Sequence, residues 1–332
     1  MKHRLLVAGI LVGIFAAPAS VASAQTCSGG TAVQDACVKA VDLVTFMTPQ
    51  LSTALAGGNA TLGQGGALGG LGHFAVSLRG TAVNGSIPNI SSVTFNTSSP
   101  QPGKYTAKNQ FVPMVSADAA IGIWRGISLG VTHVGGIDAL VTVTYLPDVS
   151  NSDVSLKTNG GNTKIGFGAR VGLLEESLVT PGVSLTYLKR DLPTLTISST
   201  VTGTASGIGQ ATGSISLGNY AAKTSAWRLT ASKNLLVFSL SAGVGQDKYE
   251  SSSVVDVTVN TIGGNQSGKG ATAFSMTRTN AFVGAGINLF LFKLVGELGT
   301  VSGGSVPAML NDFSTNAASS RTYFTLGLRF GS

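Results

Sequence analysis

The chain has 332 residues, of which only 11% are charged, and its formal net charge is +7. Soluble domains average about 25% charged residues, so this composition is unusually apolar. Lysine and arginine are scattered along the chain, which argues against a nucleic-acid-binding surface. Beyond residue 24 no stretch has the 18 or so consecutive apolar residues that a membrane-spanning helix needs. A closed transmembrane barrel remains compatible, because its lipid-facing side chains occupy only every second position.

Residues 1–24 have the three parts of a secretory signal peptide. Lys2 and Arg4 form a positive start, residues 5–17 are apolar, and Ala22-Ser23-Ala24 is a small-x-small cleavage site. We therefore predict export and cleavage after residue 24, without lipid attachment. The alternative is a short N-terminal anchor.

The two cysteines, Cys27 and Cys37, lie close to the predicted mature N-terminus. In an oxidising compartment this spacing favours one disulfide that closes a short loop. The alternative is a metal or redox pair, although no histidine lies nearby. We expect no metal and no other cofactor.

Residues 25–70 are predicted to precede the barrel as a separate segment. Residues 31–56 repeat apolar side chains at three- and four-residue steps, which indicates a helix. A Gly-rich stretch follows at 56–70. Its composition indicates flexibility and favours a periplasmic linker, but the same stretch could instead enter the barrel as a plug.

From His73 onward the apolar pattern has a period of two. Between residues 163 and 173 every odd position is apolar or threonine, whereas the even positions are glycines, a lysine and an arginine. This alternation is typical of a membrane strand with lipid on one side and an enclosed lumen on the other. We find ten such segments, at 73–83, 114–124, 127–146, 162–173, 179–198, 220–232, 235–259, 271–288, 291–302 and 320–330.

The connections between these segments alternate between short and long. Short connections are expected at 125–126, 175–177, 233–234 and 289–290, and long ones at 84–113, 147–161, 199–219, 260–270 and 303–319. Bacterial outer-membrane barrels have short periplasmic turns, long extracellular loops and both chain ends in the periplasm. We therefore predict an all-β fold, in which residues 71–332 form a closed antiparallel transmembrane β-barrel of about ten strands in the outer membrane. A soluble β-sandwich is the alternative.

The last segment carries a family resemblance. It resembles the C-terminal strand signal of bacterial outer-membrane β-barrels, although Gly331 and Ser332 follow its aromatic end; the residues of this assembly signal are Phe324, Leu326, Leu328 and Phe330. The resemblance implies outer-membrane lipid as the surroundings, with the barrel-assembly machinery and periplasmic chaperones as partners during biogenesis. The Gly-rich entry and the barrel are also similar to the long-chain fatty-acid transporter family. That family has more strands, and its substrate-binding motif is not found here, so no residue role is transferred.

Charged side chains within the strands are expected to face the lumen, because lipid exposure of Arg or Lys costs about 2–4 kcal/mol at the midplane. A cation-rich constriction for anionic solutes is one interpretation. A narrow lumen filled by ion pairs is the other, because small barrels leave room only for side chains. The lumen-facing charged set is Arg79, Asp118, Asp138, Lys164, Arg170, Arg228, Asp247, Arg278, Lys293, Glu297 and Arg329.

No catalytic constellation is found, so we expect the protein not to be an enzyme. His73 and His133 are the histidines beyond the signal peptide, and His133 is expected in mid-strand without a role. The acidic loop residues, Asp148, Asp153 and Asp312, lack a histidine partner. The leading functional hypothesis is passive transport or a channel for a small or hydrophobic solute. The alternative is a structural or surface-interaction barrel that acts, like an adhesin, through long extracellular loops.

Overall fold

The computed structural model describes residues 26–331, except 90–93, 97, 151–153, 206–208 and 262–263. The predicted signal peptide and Asp153 therefore lie outside the described residues. Within the described part, no helix combines the length and the apolar character that crossing a bilayer requires. The elements are β1 (Thr26–Gly29), α1 (Thr31–Ala56), β2 (Phe74–Pro88), β3 (Ala107–Trp124), β4 (Ile127–Ser128), β5 (His133–Val134), β6 (Gly136–Tyr145), β7 (Val149–Ser150), β8 (Val154–Thr158), β9 (Thr163–Leu174), β10 (Gly182–Asp191), β11 (Leu195–Ala205), β12 (Gly209–Leu235), β13 (Phe238–Thr261), β14 (Gly264–Leu289), β15 (Phe292–Val301) and β16 (Arg321–Gly331).

Ten antiparallel strands form a closed ring, which confirms the predicted barrel and its strand number. The ring runs β2, β3, β6, β9, β10, β12, β13, β14, β15 and β16. It closes where β16 pairs with β2, from Tyr323 opposite Val83 to Gly331 opposite Ala75. A sandwich of two sheets has open edges, and this sheet closes on itself, so the sandwich alternative is wrong.

Side chains alternate strictly between the two faces of the wall. In β16, Phe324 and Leu326 are nearly half exposed, whereas Thr325 between them is fully buried. The exposed apolar belt continues onto the two-residue turns, where Leu236 and Phe290 are almost wholly exposed. Water contact over so large an apolar surface costs about 25 cal/mol per Å². The outside of the ring is therefore the lipid-facing surface of a transmembrane barrel.

The strands extend much further at one end of the barrel than at the other. At the short-turn end the strands are joined through 125–135, 175–181, 236–237 and 290–291. At the opposite, long-loop end, β12, β13 and β14 run for 27, 24 and 26 residues. A tilted membrane strand needs only about 9–11 residues. The upper parts of these strands therefore project beyond the lipid, where β1, β11, β8 and β7 extend the same sheet.

Predicted boundaries are wrong in three stretches of the chain. Residues 127–135, expected as the start of a long strand, form a small hairpin off the barrel, in which Ile127 pairs with Val134. Gly126 and Gly135 flank it with φ values of 96° and 82°, which let the chain leave and re-enter the wall. The stretches 199–219 and 260–270, expected as loops, are largely strand. Apolar alternation predicts the lipid-facing part of a strand but not its polar extension.

The N-terminal segment lies inside the barrel and runs down its length. β1 pairs with residues 268–271 of β14, near the long-loop end. From there α1 descends into the lumen, and residues 57–70 continue to the short-turn end, where Gly70 touches Arg125. We call residues 31–70 the lumen segment. The first and last strands of the wall, β2 and β16, begin and end together at the short-turn end, where Gly331 pairs with Ala75. The lumen segment carries Thr26 to the opposite end of the barrel.

Candidate functional site

Three arginines of the wall hold the lower end of α1. Arg190 Nη1 and Arg228 Nη2 donate to the carbonyl oxygen of Ala56 at 2.8 and 2.5 Å, and Arg79 Nη1 donates to that of Gly57 at 2.5 Å. All three side chains are buried. The last carbonyls of a helix lack intrahelical partners and carry partial negative charge, which the guanidinium groups neutralise.

Carboxylates of the wall complete this arginine cluster. Arg79 Nε lies 2.6 Å from Asp118 Oδ2, and Arg228 Nη2 lies 3.5 Å from Asp247 Oδ1. Glu297 accepts hydrogen bonds from the Tyr323 hydroxyl at 3.2 Å and from a backbone N–H of the lumen segment at 3.4 Å. Buried charges are tolerated where such partners exist. The cluster therefore joins the wall to the lumen segment.

A second ion pair holds the Gly-rich part of the lumen segment. Arg170 Nε lies 2.7 Å from Asp138 Oδ2, and both side chains are fully buried. Asp138 also accepts from the backbone N–H of Leu68 at 3.2 Å, while Arg170 Nη1 donates to Thr61 Oγ1 at 2.6 Å. Nearby, the backbone N–H of Gly65 donates to Ser232 Oγ at 2.7 Å.

The glycines of the wall make room for this chain. A Cβ atom on Gly122 would stand 2.2 Å from the carbonyl oxygen of Gly70, and one on Gly172 would stand 2.7 Å from Ala67 Cβ. Real Cβ atoms do not approach so closely. Glycine is the residue that allows two backbones to approach closely. The Gly-rich stretch is therefore a closely packed plug, not the flexible linker that its composition favoured.

The upper half of α1 is held by the long loops. Asp35 accepts backbone hydrogen bonds from Asn96 and Gln101 at 2.6 and 2.8 Å, and Asp42 accepts from Leu310 and Asn311. A disulfide joins Cys27 to Cys37, as predicted, and ties β1 to the helix.

Aromatic packing reinforces the same contact. Phe46 of α1 stacks on Phe313 with ring centroids 4.6 Å apart, and Tyr105 packs on the same ring at 5.5 Å. Burial and the nearby carboxylates of Asp35 and Asp42 raise the pKa of Tyr105 to about 12.

Most of the remaining predicted lumen charges contact backbone carbonyls. Lys293 Nζ donates to Gly63 at 3.0 Å, Arg329 Nη1 to Leu62 at 3.3 Å, and Arg278 Nε to Ser302 at 2.6 Å. Lys164 stands apart from them, because its side chain is exposed at the long-loop end. The residues of the predicted assembly signal, Phe324, Leu326, Leu328 and Phe330, are all exposed on the lipid-facing surface.

Two buried arginines were missed from the sequence. Arg190 and Arg321 both lie in strands, with side chains 3% and 9% exposed. Arg190 shares the parity of the buried Ser184 and Thr186 in β10, whereas the neighbouring Lys189 is exposed. That two-residue register was the available signal.

His133 does not lie in mid-strand as expected. It belongs to the small hairpin at the short-turn end, where its Nδ1 atom contacts the Glu175 carboxylate. Arg125 Nη2 approaches the same carboxylate at 3.2 Å. Among the described residues, no group of three histidine, cysteine or acidic side chains is placed to hold a metal ion.

The free space near the lumen segment is uneven. A cleft of about 730 Å³ opens at the short-turn end, between the Gly-rich plug, the turn that contains Glu176 and the end of β12 at Lys233. At mid-height the space beside Asn59, Thr186 and Arg228 is about 10 Å³. That volume holds roughly one water molecule.

Comparisons with known proteins give structural similarity at low identity. No protein-family model and no curated protein matches the chain. Ail, the attachment invasion locus protein of Yersinia pestis, is 9% identical, with 78% of this chain and 99% of that chain covered at a TM-score of 0.24. The outer membrane channel DcaP of Acinetobacter baumannii is 10% identical, with 78% of this chain and 96% of that chain covered at a TM-score of 0.20. A FadL homologue of Pseudomonas aeruginosa is 9% identical, with 94% of this chain and 99% of that chain covered at a TM-score of 0.26.

Similarities of this size carry no argument about what the chain does. The ring is closed, its exterior is apolar, and its interior is polar and filled. The chain is an outer-membrane-type β-barrel whose lumen is occupied by its own N-terminal segment.

Proposed function

We propose that this protein is a closed outer-membrane barrel that acts at the cell surface through its long-loop end. The observation that carries the proposal is the filled lumen. The lumen segment runs through the barrel and is mostly buried, and the wall arginines donate to its carbonyl oxygens. A permanently open pore needs those positions free, as a selectivity filter requires groups that a passing solute can reach.

The sheet beyond the lipid is the surface available to a partner. Long connections of outer-membrane barrels face the outside. Here the upper parts of β12, β13 and β14 form a continuous sheet whose outer face is mostly polar, with exposed Ser214, Ser252 and Asn260. Its inner face packs Val255 and Val257 around α1. A sheet supported by a packed core presents fixed side chains, which lowers the ordering cost of binding.

A gated passage for a small or hydrophobic solute is the second candidate. The cleft at the short-turn end favours it, because that cleft reaches the foot of the Gly-rich plug. Passage would require residues 57–70 to leave the wall, which breaks the contacts of Asp138, Ser232 and Lys293. Conduction in this scheme is conditional on such a displacement.

Planar-bilayer recording and liposome swelling separate the two candidates. We expect the full protein to show neither steady conductance nor solute uptake. Cells that express it should bind protein- or glycan-coated surfaces, and a variant with Ser214, Ser252 and Asn260 changed to lysine should bind them less. Steady conductance of the unmodified protein would contradict the closed barrel. Unchanged adhesion in the lysine variant would contradict the surface role.

A further inference from the structure

Because the lumen segment runs through the barrel, it places Thr26 and Gly331 on opposite sides of the membrane. β14 pairs with β15 only from Asn280 downward, and β1 pairs with β14 higher up, at residues 268–271. Thr26 therefore lies above the closed ring, at the long-loop end. The chain then passes through the lumen and enters β2 at Phe74, beside Gly331 of the last strand.

With the short turns in the periplasm, this path places Thr26 outside the cell and Gly331 inside the envelope. The orientation is the one on which the proposed function rests. We propose that the barrel carries its own N-terminal segment across the outer membrane, and that polypeptide joined ahead of Thr26 is displayed at the cell surface. In the mature chain that starts at Gln25, the part carried outside is the stretch closed by the Cys27–Cys37 disulfide, and a peptide inserted ahead of Thr26 would be carried with it. The rest of the lumen segment stays in the passage.

The lumen is shaped for one polypeptide chain. Its upper part encloses a helix, which is about 10–12 Å wide with its side chains. Its lower part holds a thinner, Gly-rich chain against wall glycines such as Gly122 and Gly172. We expect such a fit along the whole lumen if the barrel passes a polypeptide chain across the membrane.

The contacts of α1 also define where the passage of the N-terminal segment through the barrel stops. Asp35 and Asp42 accept hydrogen bonds from loop backbone at the long-loop end, and Gln50 exchanges hydrogen bonds with the backbone of Ser86. At the other end of the helix, Arg190 and Arg228 hold the carbonyl oxygen of Ala56. These two sets of bonds fix the helix once its N-terminal part has emerged, and the Cys27–Cys37 disulfide then lies outside.

Epitope accessibility on intact cells tests the proposal. One variant carries a tag between Gln25 and Thr26, so that the tag follows the cleavage site. Two control variants carry it at Gly160, in open space at the long-loop end, and between Leu236 and Val237 at the short-turn end. We expect antibody to label the first two variants on intact cells, and the third only after permeabilisation. Heat-modifiable gel migration verifies that each barrel is folded.

The pattern of labelling distinguishes the two ways to fail. If the Gly160 tag is labelled on intact cells and the N-terminal tag only after permeabilisation, the passage is refuted while the orientation stands. If the tag at Leu236 is labelled on intact cells instead, the orientation fails, and with it both the proposed function and the passage.

A cysteine pair reports the threaded state independently. Asn59 Nδ2 lies 3.2 Å from Thr230 Oγ1 across the boundary between lumen segment and wall. Asn59→Cys with Thr230→Cys should cross-link in cells while the N-terminal tag remains accessible. Asn59→Cys with Gly80→Cys is the matched control, because Gly80 faces outward. A cross-link that forms only in molecules with an inaccessible tag would overturn the proposal.

Discussion

Removal of the Asp138 carboxylate is expected to destabilise the barrel strongly. Asp138 is fully buried, pairs with Arg170 at 2.7 Å and accepts the Leu68 N–H at 3.2 Å. In Asp138→Ala the Arg170 guanidinium keeps its bond to Thr61 but loses its counter-charge. An uncompensated buried charge costs about 3–5 kcal/mol, and an unsatisfied backbone N–H about 1–3 kcal/mol. Since both losses arise at one carboxylate and are not additive, we expect the free energy of unfolding to fall by about 4 kcal/mol.

Urea unfolding in lipid vesicles, followed by tryptophan fluorescence, measures this change. Lys164→Gln is the matched control, because that side chain is exposed, and its effect should stay within about 0.5 kcal/mol. Asp138→Leu combined with Arg170→Met removes both charges and should recover much of the loss. A loss below about 1 kcal/mol in Asp138→Ala would refute the reasoning. So would a double variant that is no more stable than the single one.

Three further outcomes follow from other contacts. Gly122→Val should push the plug from the wall and raise its protease sensitivity, whereas Gly80→Val, which meets nothing within 4 Å, should not. Replacing Cys27 and Cys37 with serine removes a link between residues 10 apart. From loop-closure entropy, we expect the N-terminal region to lose about 2–3 kcal/mol of stability. Limited proteolysis should then cut the N-terminal region while the barrel stays folded. The folded state raises the pKa of Tyr105 to about 12, so it favours the neutral phenol. The stability that this group contributes should therefore be lost as the pH rises from 10 to about 12. Tyr105→Phe should remove this dependence in thermal unfolding.

The wall was predictable from the sequence because each of its strands is selected by a local pattern. The alternation between residues 163 and 173 predicted β9, which spans Thr163–Leu174. The contents of the lumen were not predictable in the same way. Glycine at 57–70 is compatible with a mobile linker or a tightly packed chain, and the choice depends on wall glycines such as Gly122, which are distant in sequence. The prediction of a membrane strand from residue 127 was wrong because the apolar residues of the hairpin at 127–135 have the same local alternation as a strand.

The surplus of cations in the wall has an explanation that needs no anion-selective pore. Arg79, Arg170 and Arg228 each face a buried carboxylate. The additional positive charge lies against carbonyl oxygens, as for Lys293 at Gly63 and for the arginines at the end of α1. Those carbonyls belong to the lumen segment, so these contacts are lost when that segment moves. Arg228 then keeps only the carboxylate of Asp247, and Lys293 only the neutral side-chain oxygen of Asn234.

A state in which the plug has moved is therefore expected to prefer anions. In Gly122→Val, which crowds the foot of the plug, the carbonyl partners would withdraw while the wall cations remain. Any conductance that appears should show a reversal potential shifted toward that of chloride in a salt gradient. Adding Lys293→Gln to the same variant should reduce the shift, because one of the uncovered cations is then missing. A cation preference in the opened barrel would contradict this account of the wall charges.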